Sequence, residues 1–397
     1  MEKFPGGEIS VRPTGRGAPV NRKTMTSMNL FLRRWPQRTF ALALLLAGSI
    51  LFSDVSIASA AADSNATEKT KAVLAYLTSL PSRPDKKVLS GQFIGWMFSE
   101  DPGIFSRINQ MSGKTPAIMS GNYADFGGEW GNFSSTNSLL VQHWNAGGLV
   151  EVAVHIDNPA TGTWDMDTYV DLVQLATPGT ALNDKWNREL DRISSGLADL
   201  QSKGIVVLFR PLLEMNGDWF WWGGRDGKQY RDLWIYTFNY MTKNKNLHNL
   251  LWVFAMNANL GNVSTYYPGG QYVDVVGVDY YSSDGDFPVA DEYDELKKLG
   301  KPFALTELGQ CDPSDSNCPS KDSRQIINSI KQEMPDVVYW SNWNEGWGLD
   351  NHLYVRELLS DPWVVNRGDI NLAGTTPPPP TPPAPTAPAP PSGLKIQ

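Results

Sequence analysis

Apolar residues are gathered into eight short blocks, at 88–95, 116–123, 149–156, 205–215, 250–257, 273–281, 302–309 and 337–344. Most of these blocks are nearly continuous rather than alternating, as in LVEVAVHI and LLWVFAMN. The stretches between them carry the helical period instead, with apolar residues three and four apart in 230–242 and 323–333. Continuous apolar strands joined by amphipathic helices predict a parallel sheet covered on both faces. Eight such units in residues 63–372 make the fold class α/β, a (β/α)8 TIM barrel. An open doubly wound sheet would need a glycine-rich phosphate loop after an early strand, and none is present.

Two flanks break the pattern. Residues 1–62 read as an N-terminal extension and secretory signal peptide: Arg33, Arg34 and Arg38 precede an apolar run at 40–52, followed by Ala58-Ser59-Ala60 as a small-residue cleavage site. The run is shorter than the roughly 18–20 residues of a membrane-spanning helix. Secretion is therefore expected, with no stable membrane association after cleavage. Residues 373–397 are mostly Pro, Thr and Ala, a composition that builds no core and favours an extended linker or tail. Residues 1–60 hold eight Lys/Arg and three Asp/Glu, so their removal takes the net charge from −8 to −13. So acidic a chain repels phosphate backbones, which argues against a nucleic-acid partner and suits an uncharged substrate.

Chemistry concentrates at two glutamates. Glu214 falls near the end of the fourth block, in FRPLLEMNG, and Glu307 in the seventh, in FALTELGQ. Strand ends four and seven of a barrel share its catalytic face. Two carboxyl groups brought together there are the minimum equipment for glycoside hydrolysis, one to protonate the leaving oxygen and one to attack the anomeric carbon. Trp219, Phe220, Trp221 and Trp222 follow Glu214 and offer an apolar wall that would raise its pKa, while Arg210 offers a charge that would hold a carboxylate ionised. Further tryptophans at or after strand ends, Trp96, Trp130, Trp164, Trp343 and Trp347, suit the C–H faces of pyranose rings, and about half of this set is expected to line a cleft rather than the core. Trp343 is the expected floor of the sugar site.

Arg210-Pro211-Leu212-Leu213-Glu214-Met215-Asn216-Gly217 resembles the acid/base motif of glycoside hydrolase family 26, which contains many β-mannanases. The resemblance extends to Val88-Leu89-Ser90-Gly91-Gln92, His155-x-x-Asn158-Pro159, Asp279-x-Tyr281 and Thr306-Glu307, and so covers about residues 85–350. It implies a barrel in which Glu214 is the general acid/base and Glu307 the nucleophile, Tyr281 contacts Glu307, and His155 and Trp164 line the substrate cleft. With Arg210, Trp219, Asp279 and Trp343 these form the expected substrate-binding set. One departure stands out: the family usually has His before the acid/base, and this chain has Leu213, which donates no hydrogen bond.

In a secreted chain, Cys311 and Cys318 are expected to pair and close a small loop after Glu307. No cofactor or metal is called for, since His143, His155, His248 and His352 are scattered and 282–286 lacks a calcium-loop pattern. The resemblance thus implies a secreted, monomeric, retaining endo-β-1,4-mannanase acting on plant-type mannan, glucomannan or galactomannan by double displacement. A β-1,3-1,4-glucanase or xylanase on the same barrel is the nearest alternative, favoured by Leu213. A non-catalytic carbohydrate-binding barrel would be expected to lack one of the glutamates, and both are present.

Overall fold

The computed structural model describes residues 60–372 apart from 97–98, 127–128, 312–317 and 319, and leaves the side chains of Trp96 and 125–130 undescribed. The leader through residue 59 and the linker or tail at 373–397 lie outside the described residues, as do the side chains of Trp96 and Trp130.

The apolar blocks form eight barrel strands: β1 (Gly91–Trp96), β2 (Ile118–Phe126), β3 (Leu149–His155), β4 (Val207–Arg210), β5 (Leu250–Asn257), β6 (Val275–Tyr281), β7 (Phe303–Gly309) and β8 (Val337–Asn342). Each pairs in parallel with the next. β8 returns to β1 through Asn342 and Gln92, which closes the barrel. Helices follow the strands, among them Ile104–Ser112, Phe133–Asn145, Ala181–Ser202, Gly227–Asn239 and Arg324–Gln332.

Strand alternation sorts the core into two clusters. Val150, Val152, Val207, Phe209, Trp252 and Phe254 pack outward against the helices. Leu149, Leu208, Leu251, Val253, Val275 and Ala304 belong to a second cluster that includes Val73, Leu74 and Leu77 of helix Glu68–Ser79. Thr67 caps that helix by accepting from the Thr70 amide at 3.1 Å. The lower barrel is therefore apolar, and polar groups must take the inward positions nearer the strands' carboxyl ends.

Three expected boundaries change. The block at 205–215 is strand only over β4, because Pro211 supplies no N–H for the ladder and both Leu212 and Glu214 turn to left-handed φ values of 49° and 53°. The block at 88–95 is split at Ser90: Val88–Leu89 pairs with Val364–Val365, while β1 enters the barrel. The helix expected at 230–242 is α over Gly227–Asn239 and continues as a π turn, Tyr240–Asn244.

Cys311 and Cys318 form a disulfide with Cα atoms 5.7 Å apart. Replacing both by Ser is expected to lower unfolding free energy by about 2–3 kcal/mol, the loop-closure entropy of so short a ring. Alkylation of the protein without reduction, followed by mass spectrometry, should find neither thiol modified; two modified cysteines would contradict the bond.

Candidate active site

The carboxyl-terminal half of the barrel interior is lined by polar groups from facing strands. Between β6 and β7 the register slips by one residue, so that Val278 pairs with Leu305 but Asp279 with Glu307. The extra residue, Thr306, donates its hydroxyl to Asp279 Oδ1 at 2.6 Å. This bulge places Glu307 beside Asp279 at the mouth of the barrel.

Arg210, the last residue of β4, reaches across to both. Its Nη1 donates to the two Asp279 oxygens at 2.6 Å each, and its Nη2 donates to Glu307 Oε1. Glu307 Oε2 accepts from the Tyr281 hydroxyl at 2.9 Å. Burial and the adjacent Glu307 push the Tyr281 phenol well above its ordinary pKa, so it stays a donor. A Cβ at Gly309 would run into the Tyr281 ring, so the glycine makes room for this contact. Glu307 thus receives two donors, one of them a charged guanidinium.

Glu214 has a different environment. Its left-handed backbone is fixed by a hydrogen bond from its own N–H to the Ala255 carbonyl at 2.8 Å. Tyr230 and Trp222 donate to the carbonyls of Leu212 and Leu213 at 2.8 and 2.7 Å, which anchors the turn before it. The carboxyl accepts from Asn257 Nδ2 at 2.8 Å and Trp219 Nε1 at 2.7 Å. Burial, then the charge of Glu307, pushes its pKa up to about 7, although the two donors pull the other way. Glu214 therefore holds a proton over a pH range in which an ordinary carboxylate has lost it.

Two sequence expectations take a definite form here. The tryptophan cluster divides: Trp221 and Trp222 are fully buried in the core, donating to Ile156 and Leu213 carbonyls, and Trp219 offers Glu214 a polar N–H. Arg210 extends to Asp279 and Glu307, and Glu214 takes its hydrogen bonds from Asn257 and Trp219.

The remaining expected residues spread around the same rim. His155 ends β3, with Nδ1 2.9 Å from Asn122 Oδ1. Burial, then Arg210, lowers its pKa to about 3, so it is neutral. Trp343, just beyond β8, is nearly buried, stacked at a tilt on Phe93 with centroids 4.6 Å apart and edge-on to His155 at 6.5 Å. Trp347 is also buried and edge-on to Tyr281. Trp164 and Trp219 are the exposed indoles of the set, at 36% and 39%. Leu213 is 1% exposed and packed in the core. Among the described residues no group of three His, Cys, Asp or Glu side chains is placed to hold a metal ion.

Sequence reasoning missed Asn257, which closes β5 as a polar residue after seven buried apolar ones. That terminal polar position was the available signal. Asn216 holds it in place, accepting from the Asn257 amide and donating to its carbonyl, both at 2.8 Å. Two carboxyl groups, one carrying its proton and one held by an arginine and a tyrosine, can supply an acid and a nucleophile to one bond.

Known proteins resemble this chain over most of its length. A mannan endo-1,4-beta-mannosidase of Bacillus subtilis is 36% identical over 325 residues, which cover 77% of this chain and 88% of that protein. Mannan endo-1,4-beta-mannosidase A and B of Caldalkalibacillus mannanilyticus is 34% identical over 364 residues, covering 85% of this chain and 69% of the relative. A solved structure of Bacillus subtilis mannanase man26 superposes with a TM-score of 0.72 at 33% identity, covering 80% of this chain and 98% of that one. The family model for glycosyl hydrolase family 26 matches residues 62–369, and the chain belongs to that family, a glycoside hydrolase on a (β/α)8 barrel.

Proposed function

We propose that this protein is a secreted, retaining endo-β-1,4-mannanase. The observation that carries the mechanism is the contrast between the two carboxyls: Glu214, whose pKa is pushed up to about 7, and Glu307, which receives Arg210 and Tyr281 as donors. The substrate follows from the relatives named above, which are mannan endo-1,4-beta-mannosidases.

In the first step the Glu214 proton passes to the glycosidic oxygen as Glu307 attacks the anomeric carbon. The bond to the leaving sugar breaks, and an ester forms between Glu307 and the glycone. In the second step Glu214, now a carboxylate, takes a proton from water, whose oxygen attacks the same carbon and frees Glu307. The exposed indoles of Trp164 and Trp219 support stacking of sugar rings along the rim, with Trp343 beneath the reacting one. The signal pattern before residue 62 and the disulfide support action outside the cell.

Reducing-sugar release measured side by side on linear mannan, glucomannan, galactomannan, mixed-linkage glucan and xylan tests the reading. Release from the mannans is expected, and faster release from mixed-linkage glucan would overturn the substrate assignment. Leu213 gave the glucanase alternative its support, but the side chain packs in the core. Leu213→His is therefore expected to destabilise the protein by about 1–3 kcal/mol, the cost of a buried polar group without a partner. It should change kcat/KM on mannan and glucan by the same factor. Unequal changes in a folded variant would make this position a determinant of sugar preference.

A further inference from the structure

Beneath the Arg210 fork lies an acidic side chain that no motif singled out. Glu151 is on β3, two positions before Ala153, which pairs in register with Arg210. By strand alternation it points inward, one layer deeper in the barrel. It is fully buried, and its Oε1 lies 3.4 Å from Arg210 Nε. Neither Glu151 oxygen, nor Arg210 Nε, nor the Tyr339 hydroxyl has a formed hydrogen bond.

The charged and titratable groups around Glu151 come from four strands: Arg210 of β4, Tyr339 of β8, Glu307 of β7 and, across the guanidinium, Asp279 of β6. One fixed positive charge therefore faces three carboxyl groups. Asp279 takes two contacts at 2.6 Å and the Thr306 hydroxyl, and Glu307 takes Nη2 and the Tyr281 hydroxyl. Glu151 is left with the longest approach and no short donor, the poorest compensation for burying a charge. Burial pushes its pKa up to about 7, with Arg210 and Tyr339 opposing, and burial also raises that of Asp279 well above the ordinary carboxylate value.

We propose that Glu151 is a positioning residue for the nucleophile, a neutral carboxyl that backs the Nε edge of Arg210 and keeps its Nη groups aimed at Asp279 and Glu307. A neutral acid can serve both neighbours, its carbonyl oxygen accepting from Nε–H and its carboxyl sharing a proton with the Tyr339 hydroxyl, which can donate or accept. An apolar residue would leave both unpaired. A charged one would compete with Glu307 for the same guanidinium. The inference rests on Glu307 being the nucleophile of the proposed reaction.

The test compares Glu151→Ala and Glu151→Gln, with Glu307→Ala as a control, by kcat, KM, melting temperature and the pH profile of kcat/KM on mannan. In Glu151→Ala the freed guanidinium should lower kcat about tenfold or more, since small misplacements at a reacting centre are costly. KM should stay within about twofold, because the substrate is not touched. The acid limb of kcat/KM should move to higher pH. Glu151→Gln, neutral and of the same shape, should restore kcat and leave the acid limb in place. An acid limb moved to lower pH by Glu151→Gln would mean that Glu151 is charged, and would overturn the proposal. So would Glu151→Ala with a lowered melting temperature but unchanged kcat and pH profile. Should Glu151→Ala fail to fold, a loss of kcat in Glu151→Gln at unchanged melting temperature would also overturn it. Turnover by Glu307→Ala would instead sink the nucleophile assignment on which the inference stands.

Discussion

Glu307→Gln is expected to abolish turnover on every substrate, including aryl glycosides with good leaving groups, because no other carboxylate takes its place at the anomeric carbon. Glu214→Ala should behave differently. On polymeric mannan its rate should fall by about 10²–10⁴-fold, the usual contribution of a general acid. On an aryl mannoside whose leaving group needs no proton, the first step should survive and the glycosyl-enzyme should accumulate. Azide, which needs no general base, should then restore turnover and yield the glycosyl azide. Wild-type kcat/KM should decline as pH rises through about 7, because Glu214 loses the proton it must donate and its pKa is raised, not lowered, by burial and by Glu307. That alkaline limb should vanish in Glu214→Ala on the activated substrate. Azide rescue of the Glu307 variant and not of the Glu214 variant would reverse the two roles.

The second large effect is expected at Arg210, fully buried among Glu151, Asp279 and Glu307. Arg210→Ala leaves buried carboxyls without their cation, a loss that costs about 3–5 kcal/mol when one partner of a buried pair is removed. Burial already holds the Glu151 and Asp279 carboxyls above their ordinary pKa values, and the guanidinium opposes that shift, so its loss raises them further. Stability is then lost as pH rises above the unfolded carboxylate range, so the deficit should be larger at pH 7 than at pH 4. Urea unfolding at the two pH values measures this. Arg210→Lys keeps the charge but not the planar fork that serves several carboxyls at once, and should recover part of the stability with little of the activity. A variant as stable as wild type at pH 7 would show that the network does not hold the barrel mouth together.

How far the site could be read from the chain depends on the scale of the interaction. Glu214 and Glu307 are legible because each sits near the end of an apolar block, and a barrel brings strand ends together whatever the details, whereas Tyr281 was reached through the resemblance of Asp279-x-Tyr281 to a family motif. Asn257 was missed, although its place in the pattern is the same, because an asparagine at a strand end has many ordinary uses. Glu151 was passed over for a related reason: within LVEVAVH it looks like one polar interruption, and only barrel closure shows that it faces Arg210. The division of labour among the tryptophans after Glu214 was not legible, because their spacing along the chain cannot tell which indoles turn into the core. The left-handed turn at Leu212 and Glu214 sends Trp221 and Trp222 inward and leaves Trp219 at the carboxyl.

The sequence by itself determined the barrel, its closure from eight units, and the two glutamates at strands four and seven, because apolar periodicity acts locally and is written residue by residue. Tertiary structure alone decided which carboxyl keeps its proton. That depends on burial and on the distances from Arg210, Tyr281, Asn257 and Trp219, groups contributed by different strands and loops. A pKa is a sum over neighbours in space, and most of those neighbours are far apart along the chain.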